Sequence, residues 1–237
     1  MRVVFRTNPG KVRTINEDTC LINEAGLYAV ADGMGGHLAG EVASRIAVET
    51  LDDMLSGKQP DPSLFRGAVR LANSRIRYDS DARIEHTGMG TTLTCLWVDE
   101  YSVLIAQVGD SRAYLLRGGD FFRCTHDHSL VEELVSKGVI TAEQARTHPE
   151  RNVITRALGT SDNVLVDLFE WDRKKGDVWL VCSDGLTDML DDSRIKQFLL
   201  AEDADDAADM LLTSALVSGG TDNISFIILV DGDGEKL

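Results

Sequence analysis

Short apolar runs, bounded by Gly, Asp or Asn, divide the chain into segments with the pattern of β-strands. They are rich in β-branched and aromatic residues, which suit a pleated and half-buried surface. Strands are predicted at about 19–22, 27–31, 91–98, 102–108, 113–117, 178–182 and 224–230. Turn residues between the third, fourth and fifth of these segments predict an antiparallel meander.

Apolar residues at helical spacing predict helices between the strands. In the segment 38–55, Val42, Ile46 and Leu51 contribute to one apolar face. Further helices are predicted at about 62–79, 129–136, 192–200 and 203–217. Helices that come in pairs between antiparallel strands predict an α+β fold, in which the helices cover a core made of two sheets.

The size and charge of the chain limit what it can be. Its 237 residues, 43% of them hydrophobic, suffice for one sizeable core, so we predict a single domain over residues 1–237. The net charge of −15 disfavours nucleic acid as a partner, because such binding depends on Lys and Arg that neutralise phosphates. The longest apolar run, at 224–230, has the length of a strand, so no membrane partner is expected.

Cysteine usage indicates a compartment. Cys20, Cys95, Cys124 and Cys182 form no C-x-x-C pair, and three of them lie in strand-like segments. Buried free thiols in a reducing cytoplasm fit this pattern, and no signal peptide is evident. We therefore expect a cytoplasmic protein.

The segment 138–161 breaks the strand pattern. It is polar and contains the pair His148-Pro149. Two interpretations stay open for it, a surface flap beside a functional site or an ordinary insertion.

Acidic residues recur where apolar runs or glycine-rich turns end. The clusters are Asn16-Glu17-Asp18, Asp32-Gly33, Asp110, Asp184-Gly185 and Asp222-Asn223. Carboxylates that converge at strand ends repel one another unless cations neutralise them. Mg²⁺ and Mn²⁺ prefer such oxygen ligands, and no His or Cys cluster in the sequence competes. The pattern therefore predicts a site for hard metal ions.

A site of this kind predicts hydrolytic chemistry. Two ions about 3.5–4 Å apart can share one carboxylate, such as Asp32, and activate a bridging water. The glycine after Asp32 lets the backbone approach closely, so the Gly33 carbonyl can also bind an ion. The matching substrate is an electrophile with negative charge, and phosphate esters fit best.

Two further residues near the acids have more than one interpretation. Arg13 can bind two phosphate oxygens in a fork, or it can merely neutralise the acidic cluster. His37 follows the glycine-rich turn and can protonate a leaving alkoxide, or it can be structural. The pair Asp127-His128 opens a predicted helix and can support the site from behind its ligands.

The order of these motifs resembles that of the metal-dependent protein phosphatases, the PPM or type 2C family. The matching segments are RTINED at 13–18, ADGMGG at 31–36, GTT at 90–92, VGDSRAY at 108–114, SDGL at 183–186 and GTDNIS at 220–225. They span about residues 5 to 230, and the compact length resembles the bacterial branch. The resemblance implies a four-layer α-β-β-α sandwich with two central, mainly antiparallel sheets.

The resemblance also implies roles for the acids in a centre with two Mn²⁺ or Mg²⁺ ions. Asp32 would bridge both ions, with the Gly33 carbonyl on one of them. Asp184 and Asp222 would hold the other, and an optional third ion would lie between Asp184 and Asp110. The residues implied to act through water or around the ligands are Glu17, Asp18 and Asn223.

Two catalytic roles follow from the same resemblance. Arg13 would grip the substrate phosphate. Many members carry His directly after the Asp-Gly pair, where this chain has Met34, so His37 is implied to protonate the leaving group in its place. The segment 138–161 resembles the variable flap of the family, which influences substrate access.

The function implied is hydrolysis of phosphoserine and phosphothreonine in proteins by a metal-bridging hydroxide, which reverses Ser/Thr kinase signalling. The partners implied are phosphorylated proteins and a cognate Ser/Thr kinase, and we expect a monomer. One alternative is a family phosphatase with a small-molecule or specialised regulator substrate. Another is a pseudophosphatase that binds phosphoproteins without hydrolysis, although none of the implied ligand acids is missing.

Overall fold

The computed structural model describes residues 1–35, 39–200 and 203–232. The strands are β1 Arg2–Asn8, β2 Asp18–Asn23, β3 Leu27–Met34, β4 Gly90–Thr91, β5 Leu93–Val98, β6 Ser102–Val108, β7 Arg112–Arg117, β8 Asp120–Arg123, β9 Asp167–Asp172, β10 Val178–Cys182 and β11 Ile224–Val230. The helices are α1 Ala39–Leu55, α2 Pro62–Ala82, α3 Leu130–Ser136, α4 Ala142–Arg146, α5 Asp184–Thr187, α6 Asp192–Leu199 and α7 Ala204–Val217, with a 3-10 turn at Ile84–His86.

The strands form two antiparallel sheets. In one sheet the order is β1-β11-β10-β7-β8, and in the other it is β2-β3-β5-β6-β9, with β4 paired to β3. The β5-β6 hairpin is the first half of the predicted meander, whereas β7 leaves to join the other sheet. The chain therefore changes sheets at the turn that carries Asp110.

Three apolar clusters set the layers of the molecule. Helices α1 and α2 cover the sheet that contains β3, around Leu51, Phe65 and Trp97. Helices α5, α6 and α7 cover the other sheet, and a third cluster that includes Trp179 fills the space between the sheets. The predicted α+β fold, an α-β-β-α sandwich, is confirmed.

Element boundaries follow local chemistry. The side chain of Asp61 accepts a hydrogen bond from the backbone of Leu64 and caps α2, which then starts with Pro62. Ser129 caps α3 in the same way through the backbone of Glu132. Strands β1, β8 and β9 were not predicted, because edge strands with many charged residues lack a continuous apolar run.

Two other sequence predictions concern the cysteines and the absence of a membrane-spanning segment. Cys95, Cys124 and Cys182 are buried free thiols, as predicted, whereas Cys20 is only partly buried. None of the helices in the described ranges is long and apolar enough to cross a membrane.

Candidate metal centre

Asp18 and Asp32 stand opposite each other on neighbouring strands. They are paired in the register of β2 and β3, so their carboxylates start from adjacent points of one sheet. Threonines of the next strands fix the backbone of Asp32. Its N–H donates to Thr92 Oγ1 at 3.0 Å, and its carbonyl accepts from the Thr92 N–H and Thr91 Oγ1, each at 2.9 Å.

The second sheet contributes Asp184 and Asp222 at the same end of the sandwich. Asp184 follows β10, and Asp222 precedes the adjacent strand β11. The Ser183 hydroxyl donates to Asp18 Oδ2 at 2.9 Å and thereby joins the two sheets. A side chain at Gly185 would collide with the Asn223 carbonyl, so only glycine lets this turn close.

Burial and mutual repulsion disfavour the charged forms of these acids. Burial raises the pKa of Asp32 well above its usual range, and the charges of Asp18, Asp184 and Asp110 raise it further. Burial, followed by the charge of Asp110, likewise raises the pKa of Asp184. The pKa of Asp18 rises to about 6 and that of Asp110 to about 7, with burial the main cause in each case.

Two carboxylate oxygens in this group have no hydrogen-bond partner among the described residues. They are Oδ1 of Asp18 and Oδ1 of Asp184, and both are buried. A buried acceptor that lacks a donor costs free energy, and a cation bound between these oxygens would remove that cost. The donor set consists of carboxylates, which suits Mg²⁺ or Mn²⁺.

The acids are neighbours, but they do not form a preassembled ligand set. Within residues 1–35, 39–200 and 203–232, no three His, Cys, Asp or Glu side chains are already arranged to hold an ion. Asp222 is bound to Arg13 instead. The residues therefore fit hard cations, because their donor atoms are carboxylate oxygens and two of these oxygens lack a hydrogen-bond partner among the described residues. For Asp222 to bind an ion, it must first release Arg13.

Glu17 is packed against two glycines. Its carbonyl accepts from the Gly33 N–H at 3.2 Å. A side chain at Gly40 would collide with the Glu17 carboxylate, and one at Gly33 would collide with the Gly40 carbonyl. Burial raises the pKa of Glu17, whose carboxylate adjoins the start of α1. This close packing brings the predicted ligand Gly33 next to Glu17.

Asn223 holds the loop that leads to Glu17. Its buried amide accepts from the Glu17 N–H at 2.9 Å and donates to the carbonyls of Pro9 and Ile15 at 3.1 and 2.9 Å. The loop between these carbonyls contains Arg13. One side chain near β11 thus fixes the path of a segment more than 200 positions away.

Arg13 lies at the rim of the acidic group. Its Nη2 donates to Asp222 Oδ2 at 2.9 Å, and its side chain is 51% exposed. The structure therefore contains the neutralising salt bridge that was one of the two interpretations. Because half of the guanidinium side chain faces solvent, it is also accessible to a substrate phosphate.

The remaining predicted residues have different outcomes. Asp110 lies in the turn between β6 and β7, where its charge acts on both Asp32 and Asp184. His37 lies outside the described residues, so its role as proton donor stays a prediction.

The segment 138–161 lies over one side of the centre. It includes α4 and borders a cavity of about 410 Å³, which extends from Asp110 and Asp184 to Arg146 and Arg151. Arg151 Nε lies 3.8 Å from Asp188 Oδ2, and both residues line this cavity. The segment thus adjoins the acids, which is the position expected of a flap.

Sequence reasoning missed several residues that support the acids. Ser111 Oγ lies 2.7 Å from Thr92 Oγ1 and links the Asp110 turn to Asp32. Arg112 donates to Asp127 in a fork, with contacts of 2.6 to 3.0 Å. The GTT and GDSR segments signalled that these positions matter, but nothing in their spacing assigned partners. Nothing in the sequence indicated that Asp188 adjoins the acids, apart from its position four residues after Asp184.

The chain matches a known protein family. The model of the family described as "Protein phosphatase 2C" matches residues 11–212. The serine/threonine phosphatase stp of Listeria monocytogenes serotype 4b (strain F2365) is 38% identical over 245 residues, which cover 98% of this chain and 96% of that protein.

Solved structures show the same fold. The serine/threonine phosphatase PstP/Ppp of Mycobacterium tuberculosis superposes with a TM-score of 0.91 at 38% identity, covering 96% of this chain and 97% of the other. The catalytic domain of the phosphatase PstP, solved in complex with two manganese ions, superposes with a TM-score of 0.87 at 36% identity and covers 96% of each chain.

Proposed function

The chain belongs to the protein phosphatase 2C family, and from this premise we propose how its own residues carry out the family's reaction. The resemblance seen in the motifs is confirmed. The protein is a metal-dependent serine/threonine protein phosphatase, so its substrates are phosphorylated proteins. The observation that carries the assignment of residues is the pair of unpartnered buried carboxylate oxygens, on Asp18 and Asp184, beside an accessible arginine.

The acidic group would hold two Mn²⁺ or Mg²⁺ ions, as its oxygen donors and raised pKa values favour. Asp32 and the Gly33 carbonyl would share one ion, and Asp32 would share the second with Asp184 and Asp222. Glu17 and Asp18 would stabilise the same pair of ions, and Asp110 with Asp184 would take a third, weaker one. When bound, the ions supply Lewis acidity, which lowers the pKa of water and offsets the charge of a phosphoryl group.

The residues around the ions bind and orient the substrate. Arg13 would release Asp222 to the ions and turn its guanidinium to two phosphoryl oxygens. Asn223 would hold the loop of Arg13 at a fixed distance from the acids through its bonds to Pro9, Ile15 and Glu17. His37 stays the predicted donor of a proton to the serine or threonine oxygen that leaves.

A direct test replaces Asp32, which is the most central acid. Asp32→Asn keeps the size of the side chain and removes the charge that would bridge two ions. We expect Mn²⁺-dependent hydrolysis of a phosphothreonine peptide to fall at least about 100-fold, because the ions supply several kcal/mol and each 1.36 kcal/mol is tenfold. The matched control is Asp120→Asn at the exposed first residue of β8, which should keep full activity. Full activity in Asp32→Asn would disprove the assignment.

The alternatives are separated by substrate. A chelator-sensitive release of phosphate by the wild type from a phosphopeptide, but not from a nucleotide, supports the protein phosphatase and excludes a pseudophosphatase. No observation favours the pseudophosphatase, since every acid of the predicted ligand set is present.

We further propose the cellular setting. Removal of phosphate from serine and threonine presupposes a Ser/Thr kinase that adds it, so the expected partner is such a kinase together with its substrates. The four thiols support a reducing cytoplasm, and a single catalytic domain that acts as a monomer is the expected form. Phosphoproteomes compared with and without the gene would identify the substrates, and light scattering would measure the mass in solution.

A further inference from the structure

His128 lies behind the Asp110 turn and binds it at two points. Its Nδ1 accepts from the Gly109 N–H at 2.9 Å, and its own backbone N–H donates to the Gly109 carbonyl at 2.9 Å. Only 7% of the side chain is exposed. Gly109 directly precedes Asp110, so both bonds act on the backbone that positions this carboxylate.

The neighbouring residue grips the other flank of the same turn. Arg112, two positions after Asp110, donates to the buried carboxylate of Asp127 at 2.6 to 3.0 Å. The dipeptide Asp127-His128 therefore holds Asp110 from both sides. Of the two contacts, the one at His128 is an uncharged hydrogen bond whose strength depends on the orientation of the ring.

The opposite edge of the His128 ring faces the chain that returns from the flap. Nε2 lies 3.0 Å from Asp167 Oδ2, and Arg156 Nη1 lies 2.9 Å from Nε2 and 2.8 Å from Asp167 Oδ1. The His128 carbonyl also accepts from the Thr155 N–H at 2.8 Å. The ring is thus held between the flap and the Asp110 turn.

These bonds determine the state of the ring. Because Nδ1 accepts from Gly109, the proton of the neutral imidazole is on Nε2 and is donated to Asp167. The Arg156 guanidinium and the Nε2–H of His128 then both donate to the Asp167 carboxylate. The short distance between Arg156 Nη1 and His128 Nε2 follows from this shared acceptor and is not a hydrogen bond between them. Burial lowers the pKa of His128, and the charge of Arg156 lowers it further, which agrees with a neutral ring.

We propose that His128 is a positioning residue, which sets the geometry of Asp110 through Gly109 and ties that geometry to the flap through Asp167 and Arg156. The inference rests on the proposed function, since it takes Asp110 as the ligand of the weaker third ion. Residues that orient metal ligands from behind typically contribute 10- to 100-fold to metal affinity.

Two substitutions each remove the hydrogen bond at one edge of the ring and keep the one at the other edge. In His128→Asn the amide oxygen takes the place of Nδ1 and still accepts from Gly109, but the side chain is too short to reach Asp167. In His128→Gln the amide nitrogen takes the place of Nε2 and still donates to Asp167, but Gly109 loses its acceptor. Each variant is the control for the other.

Two measurements follow the two edges. Calorimetric titration of MnCl₂ into chelator-treated protein should show the weakest binding step at least about tenfold weaker in His128→Gln, and within about threefold of wild type in His128→Asn. Limited trypsin digestion after Arg146 and Arg151, both exposed on the flap, should be faster in His128→Asn and unchanged in His128→Gln. A general packing role would instead move both readouts alike in both variants.

The outcomes are distinct. If the wild type binds no Mn²⁺, the proposed function fails. If it binds Mn²⁺ without a weaker step, or if the two variants behave identically, the role of His128 is overturned while the proposed function stands. Should His128→Gln not fold, Asp167→Ala tests the flap edge of the ring by itself, with Asp167→Asn as its control. Only the alanine variant loses the acceptor for Nε2, so only it should be digested faster in the flap, while its last Mn²⁺ step stays within about threefold of wild type. A last Mn²⁺ step that is about tenfold weaker in Asp167→Ala would overturn the inference.

Discussion

The buried acids at the base of the centre and the arginines at its rim are held in opposite ways. Asp18 begins β2, Asp32 lies in β3 and Asp184 follows β10, and hydroxyl and backbone bonds hold Asp18 and Asp32 in place. Arg13 and Arg151 are about half exposed, and each faces a carboxylate, at 2.9 and 3.8 Å. The acids of the base thus carry negative charge that no salt bridge balances within the part of the chain that the structure describes, whereas each arginine of the rim already faces a carboxylate. Ion binding therefore relieves the repulsion among the buried acids, and binding of a substrate phosphate requires Arg13 to leave Asp222.

This difference has an energetic side. Buried carboxylates that repel one another destabilise the metal-free protein, and bound cations remove that repulsion. Exposed ion pairs contribute about 0–1 kcal/mol, so the rim adds little to stability. Substitutions at the base should therefore change stability and activity together, while substitutions at the rim should change activity or local motion alone.

The largest effect is expected at Asp184. Asp184→Asn should lower Mn²⁺-dependent activity at least about 100-fold, because several kcal/mol of ion stabilisation is lost. In chelator at pH 8 the same variant should melt a few degrees above wild type, since one buried charge has been removed. Calorimetry and phosphopeptide turnover measure the two effects. A variant that melts lower in chelator and stays active would contradict the contrast between base and rim.

A smaller loss is expected at Arg13. Arg13→Ala should reduce kcat/KM for a phosphopeptide roughly 10- to 100-fold, mainly through KM, and Arg13→Lys should restore only part of it because a fork is replaced by a point charge. Mn²⁺ affinity should stay equal or increase, as Asp222 is released. Arg45→Ala, in an exposed ion pair on α1, is the control. If Mn²⁺ affinity falls while KM is unchanged, Arg13 only neutralises the acids.

The dependence of stability on pH tests the base without a mutation. The folded-state pKa values of Asp18 and Asp110, about 6 and about 7, lie above the value of about 3.9 in an unfolded chain. The folded state then binds more protons between about pH 4 and 7, so stability falls as pH rises through this window. We expect the metal-free protein to melt lower at pH 8 than at pH 5.

Mn²⁺ should reverse this trend, because it binds the deprotonated acids. At 100 times its dissociation constant it should add about 2.7 kcal/mol. The pH slope of the melting temperature, measured with and without Mn²⁺, checks both statements. An equal slope in Asp184→Asn and Asp120→Asn would attribute the effect to net surface charge instead.

The smallest effect is expected at Arg151. Its long, exposed contact with Asp188 predicts a change of less than about 1 kcal/mol in the free energy of unfolding for Arg151→Ala. Proteolysis within the flap should increase while Mn²⁺ affinity stays unchanged. A large loss of global stability would place Arg151 with the rigid base and not with the rim.

Two acids of the base, Asp32 and Asp184, could be located from the sequence because each follows a recognisable apolar run. Asp18 follows no such run, and only its acidic cluster and the RTINED motif indicated it. The supporting bonds were not predictable, since Thr92 meets Ser111 and Asn223 meets Pro9 through contacts that leave no periodic signal. The motif resemblance indicated that these positions matter, but only the fold supplies their partners.

The pairing of β1 with β11 governs when the protein can become active during its synthesis. The seven residues of β1, from Arg2 to Asn8, pair with the seven residues of β11, from Ile224 to Val230. At about 5–20 residues per second, a ribosome needs roughly 10 to 45 s to make the chain between them. Throughout this interval β1 has an unpaired edge and the loop of Arg13 has no anchor. The nascent chain is therefore catalytically silent and dependent on protection from aggregation until β11 emerges.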